Sequence, residues 1–135
     1  MRIAQFPFRK IGKGPLGEIF RPYAEVLIFV KKKKIWLPAN MVIDSGADYT
    51  LLPRRYATLL EIDLAQDCIA ETTLGVGGSE TVYLYRKLLV KIGNWQKEIP
   101  VGFLERDDIP ALLGRLDFME ILKVIFEDRR TTFEK

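Results

Sequence analysis

The sequence predicts a small, mostly-β domain, and three observations carry that expectation. Apolar residues alternate with polar ones over most of its length, with β-branched and aromatic residues over-represented in the alternating stretches. Glycine and proline punctuate the chain between those stretches. At 135 residues, with 48% hydrophobic and 29% charged residues, there is material for one core and no sign of a disordered or fibrous chain.

In chain order the alternation predicts strands over Ile3–Phe8, Tyr23–Val30, Ile35–Ile43, Cys68–Leu74, Thr81–Ile92, Lys97–Phe103, Lys123–Asp128 and Thr131–Glu134. Residues 1–22 are expected to be an irregular N-terminal segment beyond the first strand. Gly12–Pro22, with three glycines and two prolines, is expected to be an irregular connection. Gly93-Asn94 reads as a hairpin turn, because both residue types tolerate positive φ. Two short helices are expected. One follows Pro53, a residue suited to a first helical position, through Arg54–Leu60. The other spans Arg115–Leu122, where Leu116, Met119 and Leu122 recur at helical spacing and Phe118 and Ile121 widen the apolar face. Neither repeats nor linkers interrupt the chain, so one domain over 1–135 is expected.

Composition closes several chemical routes. There is no histidine and one cysteine, Cys68, so Ser-His and Cys-His nucleophile pairs, intrachain disulfides and cysteine-rich zinc sites are all excluded. Cys68 reads as a packed small residue, with no histidine to activate it. The opening Met1-Arg2-Ile3-Ala4-Gln5 lacks the apolar stretch of a secretory signal, and the longest apolar run, Val26–Val30, is a strand's worth. A cytoplasmic protein without membrane association is expected. The net charge of +3 is mild and does not point to nucleic acid. Lys31–Lys34 could contact an anionic partner, but a solvated hairpin tip that discourages edge aggregation is the simpler reading.

What remains is Asp44. It follows the β-branched pair Val42-Ile43, at the point where a buried strand would leave its sheet, and precedes Ser45-Gly46. Gly46 permits a tight loop close to the carboxylate, and Ser45 brings a hydroxyl able to lock it. An Asp-[Ser/Thr]-Gly tripeptide occurs by chance in roughly one chain in sixteen of this length, and the same three residues also make ordinary strand-ending turns. Alone, the tripeptide leaves both readings open. Gly75-Val76-Gly77-Gly78 is similarly open between a phosphate cradle and a hairpin turn, although strand rather than helix is expected after it.

Taken together, three segments are more specific. Val42-Ile43-Asp44-Ser45-Gly46-Ala47-Asp48, followed by Thr50-Leu51-Leu52, resembles the active-site segment of retropepsin-like aspartic proteases. Gly75-Val76-Gly77-Gly78 resembles the glycine-rich tip of that family's flap, and Ala111-Leu112-Leu113-Gly114-Arg115 resembles its hydrophobic-hydrophobic-Gly signature before a C-terminal helix. The resemblance covers roughly residues 23–134 and implies an all-β acid protease fold: a closed, barrel-like domain with a flap hairpin and a short C-terminal helix. It implies Asp44 as the catalytic carboxylate, with Ser45 and Gly46 supporting the active-site loop. Gly46, Ala47 and Asp48, with Val76, Gly77 and Gly78 of the flap, would bind substrate backbone, and Arg115 would brace the dimer or the active site. The implied activity is aspartic endopeptidase, metal-free and cofactor-free, acting on polypeptide. Leu116 stands directly after Arg115 where retroviral members place a polar residue, so the pairing of that arginine is open, and residues 1–22 have no clear counterpart.

Two carboxylates are needed for the proton-sharing chemistry of that family, and the chain carries one Asp-Ser-Gly; Asp107, Asp108 and Asp117 lack the glycine loop. A two-fold homodimer that brings Asp44 to its duplicate is therefore expected. The alternative is a catalytically unproductive domain of the same fold that binds peptide or protein. A third reading is a basic β-domain that binds nucleic acid through Lys31–Lys34.

Overall fold

Twelve strands and two short helices make up the computed structural model, which describes residues 1–75 and 78–135. The strands are β1 (Arg2–Pro7), β2 (Arg9–Gly14), β3 (Gly17–Arg21), β4 (Tyr23–Val30), β5 (Ile35–Ile43), β6 (Thr50–Leu52), β7 (Ile69–Gly75), β8 (Gly78–Ile92), β9 (Trp95–Leu104), β10 (Ala111–Leu113), β11 (Lys123–Glu127) and β12 (Arg130–Glu134). Helix α1 (Arg54–Leu59) follows β6 and α2 (Leu64–Asp67) precedes β7. No helix among the described residues is long and apolar enough to cross a membrane.

The main sheet runs β4-β5-β10-β6-β9-β8-β7, and β4 also pairs with β8. That extra pairing closes β4-β5-β10-β6-β9-β8 into a ring and leaves β7 hanging from β8. Closure removes the free edges that an open sheet would expose. The period of two decides which side chains fill the ring: Ala24, Val26, Ile28 and Val30 of β4 are buried, while Glu25 and its alternates face outward. Met41, Leu52, Val90, Ile99, Phe103 and Leu113 complete the interior. Each fully buried aliphatic or aromatic side chain contributes about 1.5–3 kcal/mol of transfer free energy.

A second sheet, β1-β12-β11, joins the two ends of the chain: the Met1 ammonium donates to the Lys135 carbonyl, and the Lys135 N–H to the Met1 carbonyl, both at 3.0 Å. It docks on the barrel through aromatics. Phe118 meets Phe133 edge-on at 5.8 Å and Trp95 edge-on at 5.2 Å.

The all-β, barrel-like reading of the sequence holds, with differences in detail. Gly12–Pro22 is not irregular: β2 and β3 form a two-stranded hairpin, with Gly14 paired to Gly17, whose φ of +108° makes the turn. The N-terminal segment 1–22 is thus largely strand. The expected helix over Arg115–Leu122 is only a single wide turn at Arg115–Met119. Leu116 is extended (ψ 126°) and Asp117 left-handed (φ 57°), so its apolar spacing does not express a continuous helix. Pro53 sits just before α1 with ψ 159°, outside the helix rather than in it. The Gly93-Asn94 turn is present between β8 and β9, with Gly93 at φ 56°.

Candidate active site

Strand β5 delivers Asp44. Its last residue, Ile43, donates its N–H to the Pro22 carbonyl (2.9 Å), and Asp44 itself donates to the Leu113 carbonyl (3.0 Å). Strand β10 lies parallel to β5, with Leu113 opposite Ile43, and antiparallel to β6, with Leu112 opposite Leu51. The strands that enter and leave the Asp44 loop are therefore held apart by a third strand brought from the other end of the sequence. The loop must span that gap.

Inside the loop the carboxylate is fixed by its neighbours. The Gly46 N–H donates to Asp44 Oδ1 at 2.9 Å, and the Ala47 N–H donates to the Asp44 carbonyl at 3.2 Å. A Cβ on Gly46 would lie 3.2 Å from the same Oδ1, so a side chain there would crowd the carboxylate. Asp44 is half-buried and Ser45 and Gly46 are exposed. The carboxylate is held in place yet remains reachable.

The segment after β10 locks the far side of the loop. Arg115 donates its N–H to the Ala47 carbonyl (3.0 Å), and Leu116 to the Asp48 carbonyl (2.9 Å). The Arg115 guanidinium reaches the Ser45 carbonyl (2.6 Å) and the Asp48 carboxylate (2.7 Å). Arg115 thus pairs with Asp48 of its own chain, which resolves the pairing that Leu116 left open. Gly114 allows this approach, since a Cβ there would fall 2.2 Å from the Tyr49 carbonyl carbon. Its N–H donates to the hydroxyl of Thr50 (3.2 Å), a threonine with no exposed surface.

Asp44, Ser45, Gly46, Ala47, Asp48 and Arg115 therefore converge in one bonded unit. Gly78 lies elsewhere, at the end of the β7–β8 hairpin, paired with Gly75 and held at φ 115°. Val76 and Gly77 lie outside the described residues. Two participants escaped the sequence reading. Pro22 contributes a carbonyl from a segment that gave no functional signal. Tyr49 packs over Gly102, where a Cβ would lie 2.8 Å from its ring. Burial, then the charges of Glu71 and Asp48, raises the Tyr49 phenol, which keeps it a neutral hydroxyl. Tyr49 also lines an apolar hollow of about 190 Å³ with Leu84, Pro100, Val101 and Leu116.

Cys68 is half-buried, and burial, followed by Asp67 and Asp63, pushes its thiol up to about 11. It is therefore protonated at neutral pH, as an unactivated thiol would be.

A family model described as Aspartyl protease matches residues 35–116, which contain the Asp44 loop, the β7–β8 hairpin and Arg115. Among solved structures, the crystal structure of a retropepsin-like aspartic protease from Rickettsia conorii superposes with a TM-score of 0.68 at 20% identity, covering 96% of this chain and 98% of that one. At that identity the likeness concerns the fold. Comparison with curated proteins yields no match.

Proposed function

The chain belongs to the aspartyl protease family, and from that premise we propose that it is an aspartic endopeptidase whose active unit is a homodimer. Asp44 of each copy meets its duplicate at the two-fold axis. Two carboxylates in contact cannot both ionise readily, so the pair holds one proton between them. The ionised member takes a proton from water as the water oxygen attacks the peptide carbonyl carbon. The protonated member gives its proton to the carbonyl oxygen. The resulting tetrahedral diol collapses with proton transfer to the departing nitrogen, leaving a carboxylic acid and an amine.

The observation that carries this reading is the singular Asp44 loop. It is held by bonds from Leu113, Gly46 and Arg115 at the end of a barrel strand, while the sequence holds no second Asp-[Ser/Thr]-Gly. A dyad then requires a second copy. Gly46, Ala47 and Asp48 line the peptide's path. The β7–β8 hairpin serves as a flap over the substrate, with Gly78 as one of its contacts; Val76 and Gly77, expected to contact substrate as well, lie outside the described residues. The Ser45 hydroxyl ties the two loops together across the axis. Arg115 acts within its own subunit, holding the loop in the shape the dyad needs. The enzyme works on cytoplasmic polypeptide without metal or cofactor.

Incubation with a denatured polypeptide from acid to neutral pH, beside an Asp44→Asn variant, tests the reading. Cleavage lost in the variant supports it. Equal cleavage by both removes Asp44 from its role, and binding of peptide without cleavage by either shows a non-hydrolytic domain. Sedimentation alongside turnover tests the dimer: full activity in a monomer would sink the shared dyad.

A further inference from the structure

The opposite end of the barrel carries a feature that the Asp44 chemistry does not use. Strand β5 is nine residues long, so at about 3.3 Å per residue the turn Lys31–Lys34 stands about 30 Å from the Asp44 loop. All four lysines are exposed. The structure brings two more cations to them. Opposite Pro100 of β9, which has no N–H for the ladder, the register of β8 slips between Tyr85 and Leu88. A regular strand would turn one of two successive residues inward, whereas at this bulge both Arg86 and Lys87 are exposed. None of Lys31, Lys32, Arg86 and Lys87 takes part in an ion pair among the described residues.

These cations rim two hollows that share Lys31, Asp67 and Tyr85. One, of about 240 Å³, has Lys32 at its edge and an apolar lining that includes Phe29, Leu60 and Leu88. The other, of about 280 Å³, has Arg86 and Lys87 at its edge with Ile69 and Leu84. Cations at the edge of an apolar hollow form a surface complementary to an anionic ligand with an apolar group.

We propose that this surface docks an acidic polypeptide segment carrying a large apolar side chain, the carboxylates meeting Lys31, Lys32, Arg86 and Lys87 and the apolar group entering the hollow between them. The lysine turn is far from Asp44, whereas Ile69, Leu84, Tyr85 and Arg86 also line the hollow of Tyr49 and Leu116; the proposal does not rest on the proteolytic reading. A nucleic acid fits less well. Trp36, the large aromatic beside the turn, is engaged by Phe29 (5.1 Å) and the Lys91 ammonium (4.3 Å) rather than offered to a base.

The test is fluorescence anisotropy on the full chain with a labelled oligoglutamate peptide containing one central phenylalanine. The Asp44→Asn variant is run alongside, so that hydrolysis of the probe is not read as weak binding. Expected are saturable binding at low salt that weakens as salt rises, about a tenfold loss in Lys31→Glu/Arg86→Glu, and about a threefold loss when the phenylalanine of the probe is replaced by glycine. Thermal melting verifies that the double variant is folded; if it is not, Lys31→Gln/Arg86→Gln gives the same comparison with neutral side chains. Absence of binding at low salt, binding unchanged in the charge variants, or indifference to the phenylalanine would each overturn the proposal. So would tighter binding, through the same residues, of a single-stranded oligonucleotide or of vesicles rich in anionic lipid.

Discussion

The two ends of strand β5 are built in opposite ways. At the Asp44 end, backbone groups from β5, β10 and the turn after β10 are interlocked, and a guanidinium clamps the loop from outside. At the Lys31 end the turn is closed by the Lys34 N–H to the Val30 carbonyl (2.8 Å) and by the Val30–Ile35 strand pair, and the lysines are exposed. The contrast matches the roles proposed for the two ends. A carboxylate that shares a proton must be held to a fraction of an ångström, because small displacements remove much of a positioned group's catalytic effect. A charged docking surface needs only sign and density, and loses little by mobility.

The largest effect that tests this contrast is at Asp44 itself. The Asp44→Asn variant keeps an Oδ1 able to accept from the Gly46 N–H, so the loop should persist while proton exchange is lost. Expected is a fall in peptide hydrolysis of at least about 100-fold, the scale of general acid–base effects, with the melting temperature nearly unchanged. A variant that melts well below the parent would instead mark Asp44 as a structural turn residue.

Next comes Gly114. An alanine Cβ there would sit 2.2 Å from the Tyr49 carbonyl carbon and 2.8 Å from the Thr50 nitrogen, so backbone rather than a flexible side chain would have to move. Gly114→Ala should cost about 3 kcal/mol in urea unfolding, at the upper end of the usual overpacking cost. Gly12→Ala is the matched control: nothing lies within 4 Å of its Cβ, and a change within about 0.5 kcal/mol is expected. Equal costs at the two glycines would show that the junction between the Asp44 loop and β10 is not closely packed.

Arg115 should give a split result. Its bond to the Ser45 carbonyl and its pair with Asp48 lie at a partly exposed surface, with side-chain exposures of 37% and 81%, so Arg115→Gln should cost only about 1 kcal/mol of stability. Hydrolysis should fall about tenfold, because the loop loses its outer clamp. A stability loss with unchanged turnover would make the arginine purely structural.

Much of the barrel and of the Asp44 loop was legible because their signals are local. Alternation along Tyr23–Val30 and Ile35–Ile43 reports a strand within a few residues, and the Asp-Ser-Gly at its end is contiguous. What escaped depends on distant partners or on very short spans. Strands β6 and β10 have three residues each, too few for a period to show, and β10 becomes a strand by lying between β5 and β6. The hairpin β2–β3 was hidden by the glycines that make its turn, since the same residues punctuate loops. The apolar spacing in Arg115–Leu122 reads as a helix, but the Leu116 N–H is taken by the Asp48 carbonyl, which pulls the chain into extended geometry. The basic surface was half legible: Lys31–Lys34 stands in the sequence, whereas its junction with Arg86 and Lys87 requires the bulge at Pro100.

The smallest effect expected is at that other end, and its sign is the informative part. Lys32 is exposed, makes no ion pair among the described residues and stands among three neighbouring lysines. Removing it deletes no ion pair among the described residues and relieves like-charge repulsion from the neighbouring lysines. Lys32→Ser should therefore raise the melting temperature by about a degree at low ionic strength. The gain should vanish near 1 M salt, where screening reaches about 3 Å. A drop in melting temperature that survives high salt would mean that the lysine stem is packed and structural. The rise that disappears with salt is what a surface kept cationic at the expense of stability should show, as the proposed docking of an acidic segment requires.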